Sequence, residues 1–187
     1  MSKTRVRTGL HAAARGAVAL GAAALCALAM LSLAAAPALA ADGDGQRITI
    51  VDYGIYEHNV DRFEAEPKHI SRERVIVSSV RLLRKADEVD AQPGRMFGFQ
   101  FRVTDPSLVG QTLTIRRVVP PLTNPATGET ATTIERDLVV SHENQLVLNA
   151  YRFDYGWEMA EGLWRFQVLV KGQVIAEKAI KVIVPMN

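Results

Sequence analysis

The chain has 187 residues, 48% of them hydrophobic and 22% charged, which excludes a disordered or fibrous protein and fits one globular domain. Its 22 Lys and Arg against 20 Asp and Glu give a formal charge of +2, too balanced to supply the basic face that nucleic acid or anionic lipid requires. One cysteine excludes a disulfide framework within the chain.

The first forty residues read as a secretory signal peptide. Lys3, Arg5, Arg7 and Arg15 make a basic start, an Ala/Leu-rich apolar run follows, and Ala38-Leu39-Ala40 supplies a small-residue cleavage site. An apolar run of about twenty residues is long enough to span a bilayer, but the alanine richness and the Ala38-Leu39-Ala40 site favour cleavage after Ala40. The expected mature chain is then periplasmic or secreted, with no stable membrane anchor. It loses Cys26 and all four leader cations, so 18 Lys and Arg face 20 Asp and Glu and the formal charge becomes −2. Residues 41–46, with Asp42-Gly43-Asp44-Gly45, read as a flexible lead-in, and 47–187 as the folded domain.

Strands with turns between them fill that domain. At 47–57, Ile48, Ile50, Asp52, Gly54 and Tyr56 alternate with Thr49, Val51, Tyr53 and Ile55. A glycine at 54, inside a strand, marks a bulge or a close backbone approach. Residues 58–73 break the alternation and contain Pro67, which predicts a long connection with a helical turn around 61–66. The stretch 74–85 returns to strand character, with Val75 and Val77 on one side and Ile76, Val80 and Leu82 on the other, the pattern of a strand buried on both faces. Residues 85–94 read as a solvated turn.

The most regular strand is 95–104, where Phe97, Phe99, Phe101 and Val103 share one side. Each phenylalanine buries on the order of 150–250 Å², about several kcal/mol apiece at roughly 25 cal/mol per Å², so this side is core. A strand at 112–119 is expected to stop at Pro120-Pro121, and 124–129 carries the Pro and Gly of a loop. Strands at 130–140 and 146–153 follow, the first interrupted by Glu135-Arg136-Asp137. The stretch 157–184 is a β-hairpin: Trp164, Phe166, Val168 and Val170 face inward, Lys171-Gly172 turns the chain, and Val174, Ala176, Ile180, Val182 and Val184 return. Seven or eight strands without an amphipathic helix predict an all-β protein, an antiparallel β-sandwich.

Four motifs add a resemblance. Tyr53-Gly54-Ile55-Tyr56, Phe97-Gly98-Phe99, the Pro120-Pro121 corner, and Trp157-Glu158 followed by Gly162-Leu163-Trp164-Arg165-Phe166 together resemble a family of bacterial exported domains of unknown function. The closing hairpin is also similar to that of many bacterial immunoglobulin-like domains. The resemblance implies an immunoglobulin-like sandwich over nearly all of 47–187 and brings no catalytic residue with it.

No catalytic constellation stands out. Beyond the leader there is no cysteine, no Gly-x-Ser-x-Gly elbow and no phosphate-cradling glycine loop. Loop carboxylates such as Glu64 and Glu66 read as solubilising charge, and Arg116-Arg117 as a solvated strand end. His58 and His69 bracket the 58–73 connection with Glu66 nearby, the weak candidates for a metal site, though without tight ligand spacing. Tyr151, Tyr155 and Trp157 are the candidate interaction surface, since tyrosine and tryptophan at partly exposed edges serve interfaces. The favoured reading is a non-catalytic module that binds another periplasmic or envelope protein through a sheet edge or the 58–73 connection. The alternative is a periplasmic small-ligand or metal-binding protein using His58, His69 and nearby carboxylates. Neither reading calls for a cofactor.

Overall fold

The computed structural model of the protein describes residues 47–185; the expected leader and lead-in lie outside the described residues. Nine strands form here: β1 (Ile48–Ala65), β2 (Glu73–Lys85), β3 (Glu88–Asp90), β4 (Met96–Val103), β5 (Thr112–Thr123), β6 (Thr130–Val139), β7 (Leu146–Arg152), β8 (Gly162–Val170) and β9 (Gln173–Ile183). They make two sheets, β2-β1-β4-β7 and β3-β9-β8-β5-β6. Every neighbouring pair is antiparallel except β3 with β9, which is parallel.

Alternation places the core where it was expected. Phe97, Phe99, Phe101 and Val103 of β4 are fully buried, as are Trp164, Phe166 and Val168 of β8 and Leu113 and Ile115 of β5. The sheets meet through aromatic contacts: the ring centroid of Phe97 lies 5.0 Å from that of Phe153, 5.3 Å from Trp164 and 5.5 Å from Phe166. The β8–β9 hairpin closes at Lys171 and Gly172 with φ of 48° and 80°, the left-handed pair that matches strand twist in a two-residue turn.

Four local expectations change. The 58–73 stretch is no long connection with a helical turn, because β1 continues to Ala65 and only 66–72 turns before β2. Its alternation is weak because both faces are largely exposed, so pairing with β2 rather than burial keeps it extended. For the same reason β2 is not buried on both faces: it is an edge strand with no fully buried residue. The 85–94 turn holds β3, whose Val89 is buried; three residues are too few to show a period. Finally, β5 runs through Pro120-Pro121. Val118 faces Thr133 and Leu122 faces Ala131, so Val119, Pro120 and Pro121 bulge opposite Thr132, and pairing with β8 has already ended at Val118. Prolines are tolerated where the ladder requires no donor.

The register of β1 creates the feature that positions the site. β1 pairs with β4 only as far as Tyr56 opposite Met96, whereas its pairing with β2 continues to Ala65 opposite Glu73. Beyond Tyr56, then, β1 and β2 form a two-stranded arm. Two-stranded ribbons twist strongly, and the register shifts at 57/59 and 60/62 add to the bend. The arm's tip docks on the β5–β6 loop, where the buried Asn124 donates from Nδ2 to the Ile70 carbonyl at 2.9 Å and Arg72 pairs with Glu129 at 2.5 Å.

Candidate functional site

Beneath this arm a cleft of about 750 Å³ opens between the edge strands β6 and β7. Its walls are β2 at 73–77, β7 at 148–152 and β6 at 134–137, with Arg117 of β5 and with Glu66 and His69 from the arm's tip. The volume lies in the range of small-ligand pockets. Among the described residues, no Ser, Thr or Cys lines it.

Two arginines set its chemistry. In β5 the inward side reads Leu113, Ile115, Arg117, Val119, and in β6 it reads Ile134, Arg136, Leu138, continued by Val140 just past its end; all of the apolar members except the half-buried Leu138 are buried. Arg117 stands opposite Ile134 and Arg136 opposite Ile115. Residues opposite one another in a ladder share a face, so both arginines point into the sandwich where the pattern calls for apolar side chains. The Arg117 Nε is enclosed without a hydrogen-bond partner among the described residues. Arg136 donates from Nη2 to the Leu148 carbonyl at 3.1 Å, tying β6 to β7 across the cleft. Neither makes an ion pair among the described residues. Burial pulls Arg117 down to about 10, and the charge on Arg136 lowers it further, while the nearby Tyr151 acts against the shift. Arg136 is lowered first by burial and then by Arg74.

Most of the neighbouring ionisable groups are engaged within the fold. Tyr151 is buried and donates its hydroxyl to Glu158 Oε1 at 2.9 Å. Glu158 Oε2 accepts from the backbone N–H of Asp154 at 2.7 Å and of Tyr155 at 3.0 Å, and burial raises its carboxyl despite those donors. Arg152 pairs with Asp154, Arg116 with Glu135, and Arg74 with Glu64 at 2.6 Å. Glu73 accepts the Tyr155 hydroxyl at 2.8 Å. His69 stacks on Tyr151 with centroids 6.2 Å apart. Burial first, and then Arg117, hold it down to about 4, so its ring is neutral near pH 7. The Ser71 N–H donates to its Nδ1 at 3.3 Å, as a neutral ring allows.

The metal candidates are not brought together. His58 sits at the root of the arm, where the Arg152 Nε donates to its Nε2 at 3.1 Å, and His69 sits in the tip. Seven residue steps of β1 from His58 to Ala65, roughly 20 Å of strand at about 3.3 Å each, precede the turn that carries His69. Glu66 lies at the tip with His69 alone. Among the described residues no three His, Cys, Asp or Glu form a group able to hold a metal.

The aromatic candidates divide. Tyr151 is a core residue beneath the cleft. Tyr155 is 40% exposed and lies parallel to the half-buried Trp157, with centroids 5.8 Å apart and planes 9° from parallel. Reading Arg116-Arg117 as a solvated pair holds for Arg116, which joins Glu135, and fails for Arg117. The signal that finds it is period two: counting back from Val119 or forward from Leu113 puts 117 inside, and counting from Ile134 does the same for 136.

Residues 45–182 match the model of a family described as a domain of unknown function (DUF3859). No curated protein matches. Among solved structures, an immunoglobulin-like protein from Pseudomonas aeruginosa is similar, with 22% sequence identity and a TM-score of 0.50 over 75% of this chain and 99% of that one. A likeness at this identity concerns the fold, and the architecture is an immunoglobulin-like sandwich, as the closing hairpin led us to expect.

Proposed function

The chain belongs to the family described as a domain of unknown function (DUF3859), and from that premise we propose that it is a non-catalytic, exported recognition module that holds its partner in the cleft under the β1–β2 arm. The observation that carries this reading is the cleft itself, about 750 Å³ between two open sheet edges and roofed by a hairpin. Such a groove receives a side chain, a chain end or a small molecule, and the arm supplies a wall that loosens without disturbing the core. Export is supported by the composition of residues 1–40, and the non-catalytic character by the engagement of Tyr151, Glu73, Glu135 and Asp154 of the lining in contacts within the fold. The small-ligand alternative uses the same cleft. Its metal version loses ground because His58 and His69 stand at opposite ends of the arm.

Hydrogen exchange of the purified protein, with and without soluble cell-envelope extract, tests the proposal. Added material is expected to protect backbone amides at 73–77 and 148–152. Protection confined to other strands, or none at any extract concentration, overturns it.

A further inference from the structure

We infer that the cleft is an oxyanion receptor, in which Arg117 and Arg136 together hold a carboxylate or phosphate group of the ligand. The inference rests on the reading of the cleft as the binding site and names the chemistry of what enters it.

Three observations carry it. The first is position. Two arginines on the inward face, one in each of two adjacent strands and diagonal to each other across the ladder, break the apolar pattern of both strands at one place. Breaks of that kind mark functional sites more often than errors of folding. The second is the lack of a counter-charge. Arg116, next in the chain, and Arg152, across the cleft, each have a carboxylate in Glu135 and Asp154, whereas Arg117 and Arg136 have none among the described residues. The acidic groups of the lining are directed elsewhere. Glu135 serves Arg116, Glu73 accepts from Tyr155, Asp154 serves Arg152, and Asp137 meets the Thr114 hydroxyl at 3.3 Å on the outer face. Glu66, at the tip beside His69, is the remaining carboxylate of the wall. The third is cost. A guanidinium partly withdrawn from water is unfavourable unless paired, and two side by side repel, so the pair is an electrostatically unfavourable arrangement that a single anion relieves.

The guanidinium fork suits this task. Its planar donors match two oxygens of a carboxylate or phosphate, and such charge-assisted bonds are the strong ones. In the enclosed cleft the attraction is screened less than at the surface. Tyr151 and the neutral His69 form an uncharged floor beside the pair, adding no further positive charge near pH 7.

Two-dimensional NMR of the arginine Nε–H groups tests the inference, with acetate and inorganic phosphate as probes and acetamide as the uncharged control, in a buffer free of other oxyanions. The Arg117 Nε–H signal is expected to shift saturably with at least one anion and not with acetamide; which anion is tighter separates a carboxylate ligand from a phosphate one. Arg117→Met and Arg136→Met are each expected to weaken the binding by about tenfold or more. Arg117→Met is also expected to keep an unfolding midpoint in urea at or above that of the unsubstituted chain, since it removes a partly buried charge that has no ionic partner among the described residues. No saturable shift with either anion, an equal response to acetamide, or a midpoint well below the starting one, which marks Arg117 as a structural group, overturns the inference. If envelope extract protects the cleft amides while neither anion moves Arg117, the recognition module stands and the oxyanion receptor falls. If the anion titrates and no protection appears, the receptor stands and the module falls.

Discussion

Tyr151 donates its hydroxyl to Glu158 at 2.9 Å inside the sandwich, and both residues are almost wholly buried. That contact, with the two backbone donors from Asp154 and Tyr155, stabilises a carboxylate where burial alone disfavours it. Tyr151→Phe leaves Glu158 Oε1 without this donor and is expected to cost about 1–3 kcal/mol of stability in urea unfolding. A loss below about 0.5 kcal/mol shows that the carboxylate is already neutral or satisfied in another way.

Gly98 sits in the middle of β4 opposite Gly54 of β1, with φ at 153°. A Cβ added there meets the Asn149 carbonyl oxygen at 2.2 Å and the Ala150 Cα at 2.5 Å, both backbone atoms of β7 that cannot step aside. Gly98→Ala is therefore expected to destabilise by more than about 3 kcal/mol, or to prevent folding, because strain and overlap act together. The control is Gly110→Ala in an open turn, where nothing lies within 4 Å and only the backbone strain of its φ of 80° remains. Equal thermal midpoints for the two variants contradict this account of the β4–β7 contact.

His69 makes stability depend on pH. Its ordinary value of 6.5 applies to the unfolded chain, and burial with Arg117 beside it holds the folded value at about 4. Below pH 6.5 the unfolded state takes the proton first, so stability falls as pH drops from 6.5 toward 4 and levels off once both states are protonated. The full loss is about 3 kcal/mol. His58, lowered by burial and then by Arg152, acts in the same direction. Glu158, raised by burial, acts against both, since its folded carboxyl protonates before the unfolded one. Urea midpoints between pH 7 and pH 4 are expected to fall less steeply in His69→Gln than in the unsubstituted chain, and parallel slopes mean that His69 is solvated.

Asn124 is the latch of the arm. It donates to the Ile70 carbonyl and accepts from the Ala126 N–H at 2.8 Å. Asn124→Ala removes both bonds and is expected to cost about 1–2 kcal/mol. The more telling readout is local: hydrogen exchange should quicken at 66–77 while β4 keeps its protection, because pairing with β2 alone holds the arm outside the sheet. Uniform quickening across both sheets shows that the arm and the sandwich open as one unit.

The sequence alone determined what depends on a chain's own periodicity. The phenylalanines at 97, 99 and 101, the inward tryptophan at 164 and the turn at Lys171-Gly172 specify strands, a buried side and a hairpin, because side chains alternate across a strand whatever its neighbours are. The close approach at Gly54, where an added Cβ would meet the Arg84 carbonyl oxygen at 2.2 Å, was legible because a glycine inside a strand marks a bulge or a close backbone approach. Tertiary structure decided what depends on which strand lies beside which. Whether β1 ended at 57 or ran on to 65 turned on β2 being there to pair with it, and Pro120-Pro121 ended nothing because no neighbour required their donors. Above all, an arginine at 117 is ordinary in isolation. It becomes an inward-facing charge without an ionic partner among the described residues, its Nε enclosed, only when β6 sets Ile134 opposite it and Arg136 diagonal to it, under the roof of the arm.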